Sequence, residues 1–336
     1  MSFNKSQAAF FQAIKISLPS YKSLVDEIAE ILEISIDSAY RRIRGEKLLD
    51  FTELETLCGR FNISVDTFFN LQSNSILFQG NQNDYQENSF LKWMEDVYAQ
   101  LNLVNSFSKK HIYWLVKDMP PFHHYYHKEL AAFKFFFWRK SILFNESLKD
   151  TKFSINDNFY DQFADITQKI LKAYHKIPTT EIWNIEGINI TLRQIELYHE
   201  MGIMTSTKDT IFLYNCMLEV IDNLERMAEK GKKIIPSHPE IEGADYNFFV
   251  NEFIIGDNTF FATMDEQKVT YLNHSVIYFH GTSDPAFNNA MFKNLENLIK
   301  KSTQISVVCE KERKQFFNKL RKKVAERINA LPVEEE

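Results

Sequence analysis

Two short amphipathic segments near the N-terminus constrain the fold of this chain most strongly, because only a tight turn fits between them. Segment 24–32 carries Leu and Ile on one face and Asp and Glu on the other. Segment 35–44 begins at Ser35, a suitable N-cap, and stops before Gly45, which can adopt the left-handed conformation that ends helices. The two segments are therefore predicted to form a helix-turn-helix pair.

Further helices are predicted on both sides of this pair. Apolar residues at helical spacing predict a helix over about 5–16, before Pro19, and the same spacing predicts helices over 51–61 and from Ser64 onward. Five small helices in quick succession are expected to share one core. The sequence thus predicts a five-helix helix-turn-helix domain at 1–70.

A polar segment separates this domain from the rest of the chain. Residues 71–89 are rich in Asn, Gln and Ser, a composition that buries little surface, so they are predicted to be a linker. Residues 90–330 are predicted to form a helix-rich α+β domain for sensing or dimerisation, which makes the predicted fold class of the whole chain mainly α. The apolar spacing of 90–104 resembles a coiled-coil seam, which leaves open whether this helix packs into its own domain or dimerises.

The elements of the second domain follow from hydrophobic periodicity. A strand is predicted at 112–116, and a β-hairpin at 248–255 and 259–264 around Gly256. Further strands are predicted at 269–272, 275–280 and 304–309, and helices at 125–143, 157–175, 191–201, 208–230, 285–300 and 311–328.

Charge limits the kind of nucleic-acid contact that the chain can make. It has 39 basic and 45 acidic residues, a formal net charge of −6, which is the wrong sign for a protein that coats nucleic acid along its whole surface. Residues 1–70 contain eight basic and ten acidic residues, so non-specific affinity for DNA is expected to be weak. Specific binding is therefore expected from a dimer, with two helices on two half-sites.

Cysteine content and hydropathy bear on the compartment. Cys58, Cys216 and Cys309 are odd in number and far apart, which gives neither a disulfide framework nor a Cys-x-x-Cys knuckle. The N-terminus lacks the apolar segment of a signal peptide, and no stretch reaches the roughly 18 apolar residues of a membrane span. A cytoplasmic protein without a membrane partner is predicted.

The helix predicted over 35–44 has a face suited to DNA. If Ala39 and Ile43 face the core, the residues that point outward are Asp37, Ser38, Arg41 and Arg44. In the major groove, Arg can bind guanine O6 and N7 with two hydrogen bonds, and Asp can accept one from cytosine N4. Tyr40, Arg42 and Lys47 flank this face and are predicted to contact phosphates.

The residues of 24–32, 34–45 and 54–66 together resemble the Cro-like (XRE) helix-turn-helix family of phage repressors and bacterial regulators. The resemblance is confined to 1–70. It implies that Ala29 lies where the two motif helices cross and that Ser35 caps the recognition helix. It also implies base contacts from Asp37, Ser38, Arg41 and Arg44 and backbone contacts from Lys22, Lys47 and Thr52.

The chain departs from this family at one position. The family usually has an apolar residue three positions before the glycine, where this chain has Arg42, and the apolar Ile43 follows it. The departure leaves open the rotation of the helix. Which of Arg41 and Arg42 reads a base, and which contacts a phosphate, is likewise open.

An enzymatic function is one alternative to DNA binding. His123 and His127 would share a helix face as metal ligands do, so a metal-dependent hydrolase targeted by the N-terminal domain is an alternative. The motif lacks the Glu of His-Glu-x-x-His, however, and the chain has no Walker loop, Gly-x-Gly-x-x-Gly fingerprint or Cys/His zinc spacing. No enzyme activity, cofactor or metal is therefore predicted, and the hydrolase remains the alternative for the second domain.

The whole chain is similar to a group of uncharacterised regulators from Bacteroidetes-type bacteria, in the segments 120–124, 134–138 and 310–317. The predicted function is that of a dimeric bacterial transcriptional regulator. It would bind a double-stranded DNA operator, and a small molecule or peptide could act as effector on the second domain. An antitoxin-like module that binds another protein is a further alternative.

Overall fold

The computed structural model of the chain describes residues 3–18, 22–61, 63, 65, 76–80, 89–253, 258–274 and 277–332. The chain forms two compact units, Met1–Leu77 (unit 1) and Phe78–Glu336 (unit 2). The division falls inside the predicted linker 71–89, most of which lies outside the described residues.

Unit 1 is helical in its described residues. Its helices are α1 (Phe3–Ser17), α2 (Leu24–Ile31), α3 (Ile36–Ile43) and α4 (Phe51–Phe61). They enclose a small core of buried residues, namely Phe10, Phe11, Ile14, Ile28, Ala39 and Leu57. Of the predicted fifth helix only Val65 is described, so that helix lies outside the described residues.

In its described residues, unit 2 is organised around a mixed sheet of eight strands. These are β1 (Lys110–Val116), β2 (Thr179–Trp183), β3 (Lys232–Ile235), β4 (His238–Val250), β5 (Thr259–Met264), β6 (Gln267–His274), β7 (Tyr278–Thr282) and β8 (Thr303–Gln304). Their order is β3-β4-β2-β1-β5-β6-β7, and β8 pairs with β4. The three central strands β4, β2 and β1 are parallel, with Glu181 of β2 between Trp114 and Phe248 in register.

Helices pack on this sheet around one core that is rich in aromatic rings. They are α5 (Ser89–Ser106), α6 (Pro121–His124), α7 (Lys128–Phe137), α8 (Ala164–His175), α9 (Asn189–Glu200), α10 (Thr207–Lys230), α11 (Pro285–Lys300) and α12 (Glu310–Asn329). A π-helical turn, Trp138–Ile142, continues α7, and 3-10 turns span Glu146–Leu148 and Asn158–Phe163. Phe90, Met94, Leu101 and Val104 of the seam on α5 are buried in this core. The seam therefore serves packing within unit 2.

The prediction of a mainly α chain, with a five-helix helix-turn-helix domain followed by a helix-rich α+β domain, is wrong. The eight-stranded sheet makes the architecture α+β. The strands β2 and β3 were missed. The Thr-Thr-Glu start of β2 reads as polar although all five of its residues are buried. The predicted hairpin is also wrong, since β4 pairs with β2, β3 and β8 whereas β5 pairs with β1 and β6.

The chain directly after the unit boundary joins the edge of the sheet. The backbone N–H of Gln79 donates to the carbonyl oxygen of Gly281 at 2.7 Å, and the N–H of Gly281 donates back to Gln79 at 2.7 Å. The ring of Phe78 packs edge-on against Phe287 of α11, with the ring centroids 5.6 Å apart. This segment thus extends the sheet beyond β7 by a single antiparallel bridge.

Candidate functional site

The helix α3 of unit 1 has well-defined ends. Ser35 has extended backbone angles, and its hydroxyl oxygen accepts a hydrogen bond from the N–H of Ser38, which confirms the predicted N-cap. Gly45 has φ +74°, the left-handed conformation predicted for the residue that stops the helix. The short turn before Ser35 brings α2 and α3 together as the sequence pattern indicated.

The free face of α3 carries two arginines. Asp37, Tyr40, Arg41 and Arg44 are exposed, and Ser38 is half-buried. The side chains of Arg41 and Arg44 are 55% and 66% exposed. Glu46 lies beside both, with one carboxylate oxygen 4.0 Å from Arg41 Nε and the other 3.9 Å from Arg44 Nη1. These are long contacts between exposed groups, so they hold neither arginine firmly.

Arg42 does not belong to this face, which corrects its prediction as a phosphate contact. Its side chain is only 3% exposed and forms a bidentate ion pair with Glu53 of α4, in which Nε donates to Oε2 at 2.9 Å. A third hydrogen bond, 3.1 Å long, runs from Nη1 to the carbonyl oxygen of Ser38. Arg42 therefore occupies the buried position where an apolar residue was expected, and Arg41 is the arginine of the pair that remains outside.

Glu53 has a second role at the start of α4. The N–H of Glu53 donates to Asp50 Oδ1 at 2.8 Å, and the N–H of Asp50 donates to Glu53 Oε2 at 3.3 Å, which is a capping box. The hydrogen bonds from Arg42 are the largest contribution to a lowered pKa of Glu53. One carboxylate therefore caps α4 and ties it to α3.

A residue that the sequence analysis missed fixes the loop between these helices. Gln7 of α1 donates from Nε2 to the carbonyl oxygens of Arg42 and Lys47, at 2.7 and 2.8 Å, and accepts from the N–H of Leu49 at 3.0 Å. Gln7 is almost fully buried. A polar residue beside Phe10 and Phe11 in an amphipathic helix was the available signal, but its partners lie 35 to 42 residues away.

The other predicted contacts are found at the surface of unit 1. Lys47 and Thr52 are exposed. Lys22 is exposed as well, and its ammonium group pairs with Glu27 of α2. Ala29 packs against the core of the unit. The predicted DNA contacts that are exposed are therefore Lys22, Ser35, Asp37, Tyr40, Arg41, Arg44, Lys47 and Thr52.

Unit 2 contains a fully buried carboxylate, Glu181 of β2, which the sequence analysis did not identify. Its oxygens accept hydrogen bonds from four side chains on four elements. The donors are Tyr174 Oη at 2.9 Å, Trp183 Nε1 at 2.8 Å, Tyr246 Oη at 2.6 Å and His123 Nε2 at 2.9 Å. Burial alone would raise the pKa of Glu181, but His123, Tyr246 and Trp183 together lower it to about 2.

Two buried lysines lie in the same unit. Lys233 Nζ donates to the carbonyl oxygens of Tyr174 and Ile177, both at 2.7 Å, and lies 3.2 Å from the centroid of the Tyr174 ring. Lys134 Nζ donates to Gln194 Oε1 at 2.6 Å and to Thr191 Oγ1 at 3.2 Å. Burial lowers the pKa of both lysines. These polar groups are satisfied from within the fold, which is typical of a structural network.

The two histidines weighed as metal ligands have different partners. His123, on α6, is fully buried against Glu181, whereas Nδ1 of His127 lies 3.4 Å from Glu219 Oε2 of α10. The helix that would have carried both on one face is interrupted, because α6 ends at His124 and α7 begins at Lys128. Among the described residues, no group of three His, Cys, Asp or Glu side chains is arranged to hold a metal ion.

Comparison with known proteins gives no relative. No family model, curated protein or solved structure matches the chain. Within the described part of the chain, none of the helices combines the length and apolar character that a bilayer span requires.

Proposed function

We propose that the chain is a sequence-specific DNA-binding regulator of transcription that acts in the cytoplasm as a dimer. The observation that carries this proposal is the pair Arg41 and Arg44, which point outward from the capped helix α3 while Arg42 is tied to α4. Guanidinium groups on a rigid, exposed helix are what bidentate recognition of guanine needs.

The surroundings of α3 fit contact with a duplex. Tyr40, Lys47 and Thr52 are exposed and have groups that can donate hydrogen bonds to phosphate oxygens. Asp37, exposed in the first turn of α3, can accept from cytosine N4. Because 1–70 carries more acidic than basic residues, a monomer would hold DNA weakly, and a dimer on two half-sites would supply the missing affinity.

Selection from random double-stranded oligonucleotides tests this proposal with the full chain. We expect enrichment of a site with two related halves about one helical turn apart. Arg41→Ala and Arg44→Ala should each weaken binding to that site by about 10- to 100-fold. Arg60→Ala is the matched control, because Arg60 is an exposed arginine in the last turn of α4, and it should change affinity by less than about threefold.

Two results would contradict the proposal. One is a folded full-length chain that enriches no sequence. The other is a selected site that the Arg41→Ala and Arg44→Ala variants bind as tightly as Arg60→Ala does. Circular dichroism of each variant separates loss of contact from loss of fold.

Removal of one acid is expected to strengthen DNA binding. Glu46 lies about equally far from Arg41 and Arg44, and its negative charge would face the phosphates that approach them. Glu46→Gln should therefore raise affinity by about three- to tenfold at low salt and by less at high salt. Glu30→Gln, on the exposed side of α2, changes the net charge of the unit equally and serves as control. Equal effects of both variants would argue against a contact at Glu46.

A further inference from the structure

Unit 2 contains a cavity of about 280 Å³ whose wall is largely aromatic. Trp93 of α5, Trp114 of β1, Phe122 of α6 and Phe260 of β5 are among the rings that line it. Gln79 and Gly80, which follow the unit boundary, complete one side. The cavity is therefore built from distant parts of the chain, all within unit 2.

The polarity of the wall restricts what the cavity can bind. Asp96 is the one formally charged residue among the described residues that line it, and no cationic side chain is among them. Burial raises the pKa of Tyr125 and Tyr271, so both phenols stay neutral. A negatively charged ligand would lose its hydration without gaining an ion pair.

Aromatic rings dominate the wall of the cavity. They offer stacking and edge-on contacts to a flat ligand.

We propose that this cavity is a binding site for a small, flat aromatic molecule that carries no negative charge. An apolar cavity of roughly 150 Å³ accommodates benzene, so this cavity has room for about two fused rings. The rings of the ligand stack against the aromatic wall. This proposal depends only on unit 2, so it can be tested independently of DNA binding.

Quinoline and 2-naphthoate are suitable probes, because both are flat two-ring aromatic molecules and only 2-naphthoate carries a negative charge at neutral pH. Ligand-detected proton NMR titrations of the full chain should show saturable binding of quinoline with a dissociation constant on the order of 0.1–1 mM. Val97→Trp, which adds bulk to the wall on α5, should abolish binding. Leu103→Trp is the matched control, because Leu103 lies on the same helix, is 48% exposed and does not line the cavity.

Absence of saturable binding by the folded parent chain, or binding that Val97→Trp and Leu103→Trp affect equally, would overturn the site itself. Binding of 2-naphthoate as tight as that of quinoline would contradict the argument from charge.

Discussion

Replacing Arg42 with alanine is expected to lower the free energy of unfolding of unit 1 by about 2–4 kcal/mol. The change leaves the half-buried Glu53 carboxylate without its bidentate partner and removes the hydrogen bond to the carbonyl oxygen of Ser38. Because 15% of the Glu53 side chain is still exposed, water can partly solvate the freed charge, and the loss should not exceed this range. Unit 1 is small, and its described residues include only six buried apolar side chains, so a loss of this size is a large part of its stability.

A double-mutant cycle separates the stabilisation that the ion pair contributes from the cost of leaving one of its charges unpaired. Arg42→Met with Glu53→Met should recover much of the loss seen in Arg42→Met alone, since no unpaired charge remains. The recovery should be incomplete because Glu53 also accepts from the N–H of Asp50. Additive effects of the two substitutions would show that the pair contributes nothing to stability.

The two units can be followed separately in this experiment. All four tryptophans, Trp93, Trp114, Trp138 and Trp183, belong to unit 2, so tryptophan fluorescence does not report on unit 1. Denaturation monitored by far-ultraviolet circular dichroism should show an earlier transition in Arg42→Ala, while the fluorescence transition should stay where it is in the parent chain. A shift of the fluorescence transition would contradict the assignment of this effect to unit 1.

Replacing Glu181 with glutamine is expected to lower the free energy of unfolding of unit 2 by about 3–5 kcal/mol. The carboxylate accepts from His123, Tyr174, Trp183 and Tyr246, and a glutamine amide places a donor where an acceptor is required. Chemical denaturation followed by tryptophan fluorescence measures the loss. Glu266→Gln, at the exposed turn between β5 and β6, is the matched control and should change stability by less than about 0.5 kcal/mol.

The contribution of Glu181 should depend on pH with a defined sign. Its pKa is lowered from 4.5 to about 2 in the folded chain, so the unfolded chain binds the proton more readily. The stabilisation is fully present above about pH 4.5 and is lost as pH falls towards 2, a change of about 3 kcal/mol. The difference in stability between the parent chain and Glu181→Gln should therefore narrow across this interval. A constant difference would show that the ionised form is not what the network stabilises.

Sequence periodicity predicted the parts of this fold that are governed by local pattern. The ends of α3 follow from Ser35 and Gly45, and the buried helix α7 follows from its run of Phe residues. Each of these signals lies within a few residues of the structure that it specifies. The outward positions of Arg41 and Arg44 follow from the same local geometry.

The parts that could not be predicted involve buried polar residues with distant partners. Arg42 reads as a surface residue because arginine is seldom buried, and its partner Glu53 lies 11 positions along the chain. Glu181 made β2 look like a loop, and its bond to Tyr246 spans 65 residues. A pattern of polar and apolar residues predicts that both side chains are exposed. Only the folded chain brings their hydrogen-bond partners together.

The bridge between Gln79 and Gly281 has a consequence for communication along the chain. Gln79 and Gly80 both line the cavity of unit 2, and they are the second and third residues after the unit boundary. A molecule in the cavity that contacts them would stabilise the pairing of this segment with the sheet edge. The coupling is reciprocal. Any interaction of unit 1 that favours separation of this segment from the sheet would lower the affinity of the cavity by the factor by which the ligand favours pairing.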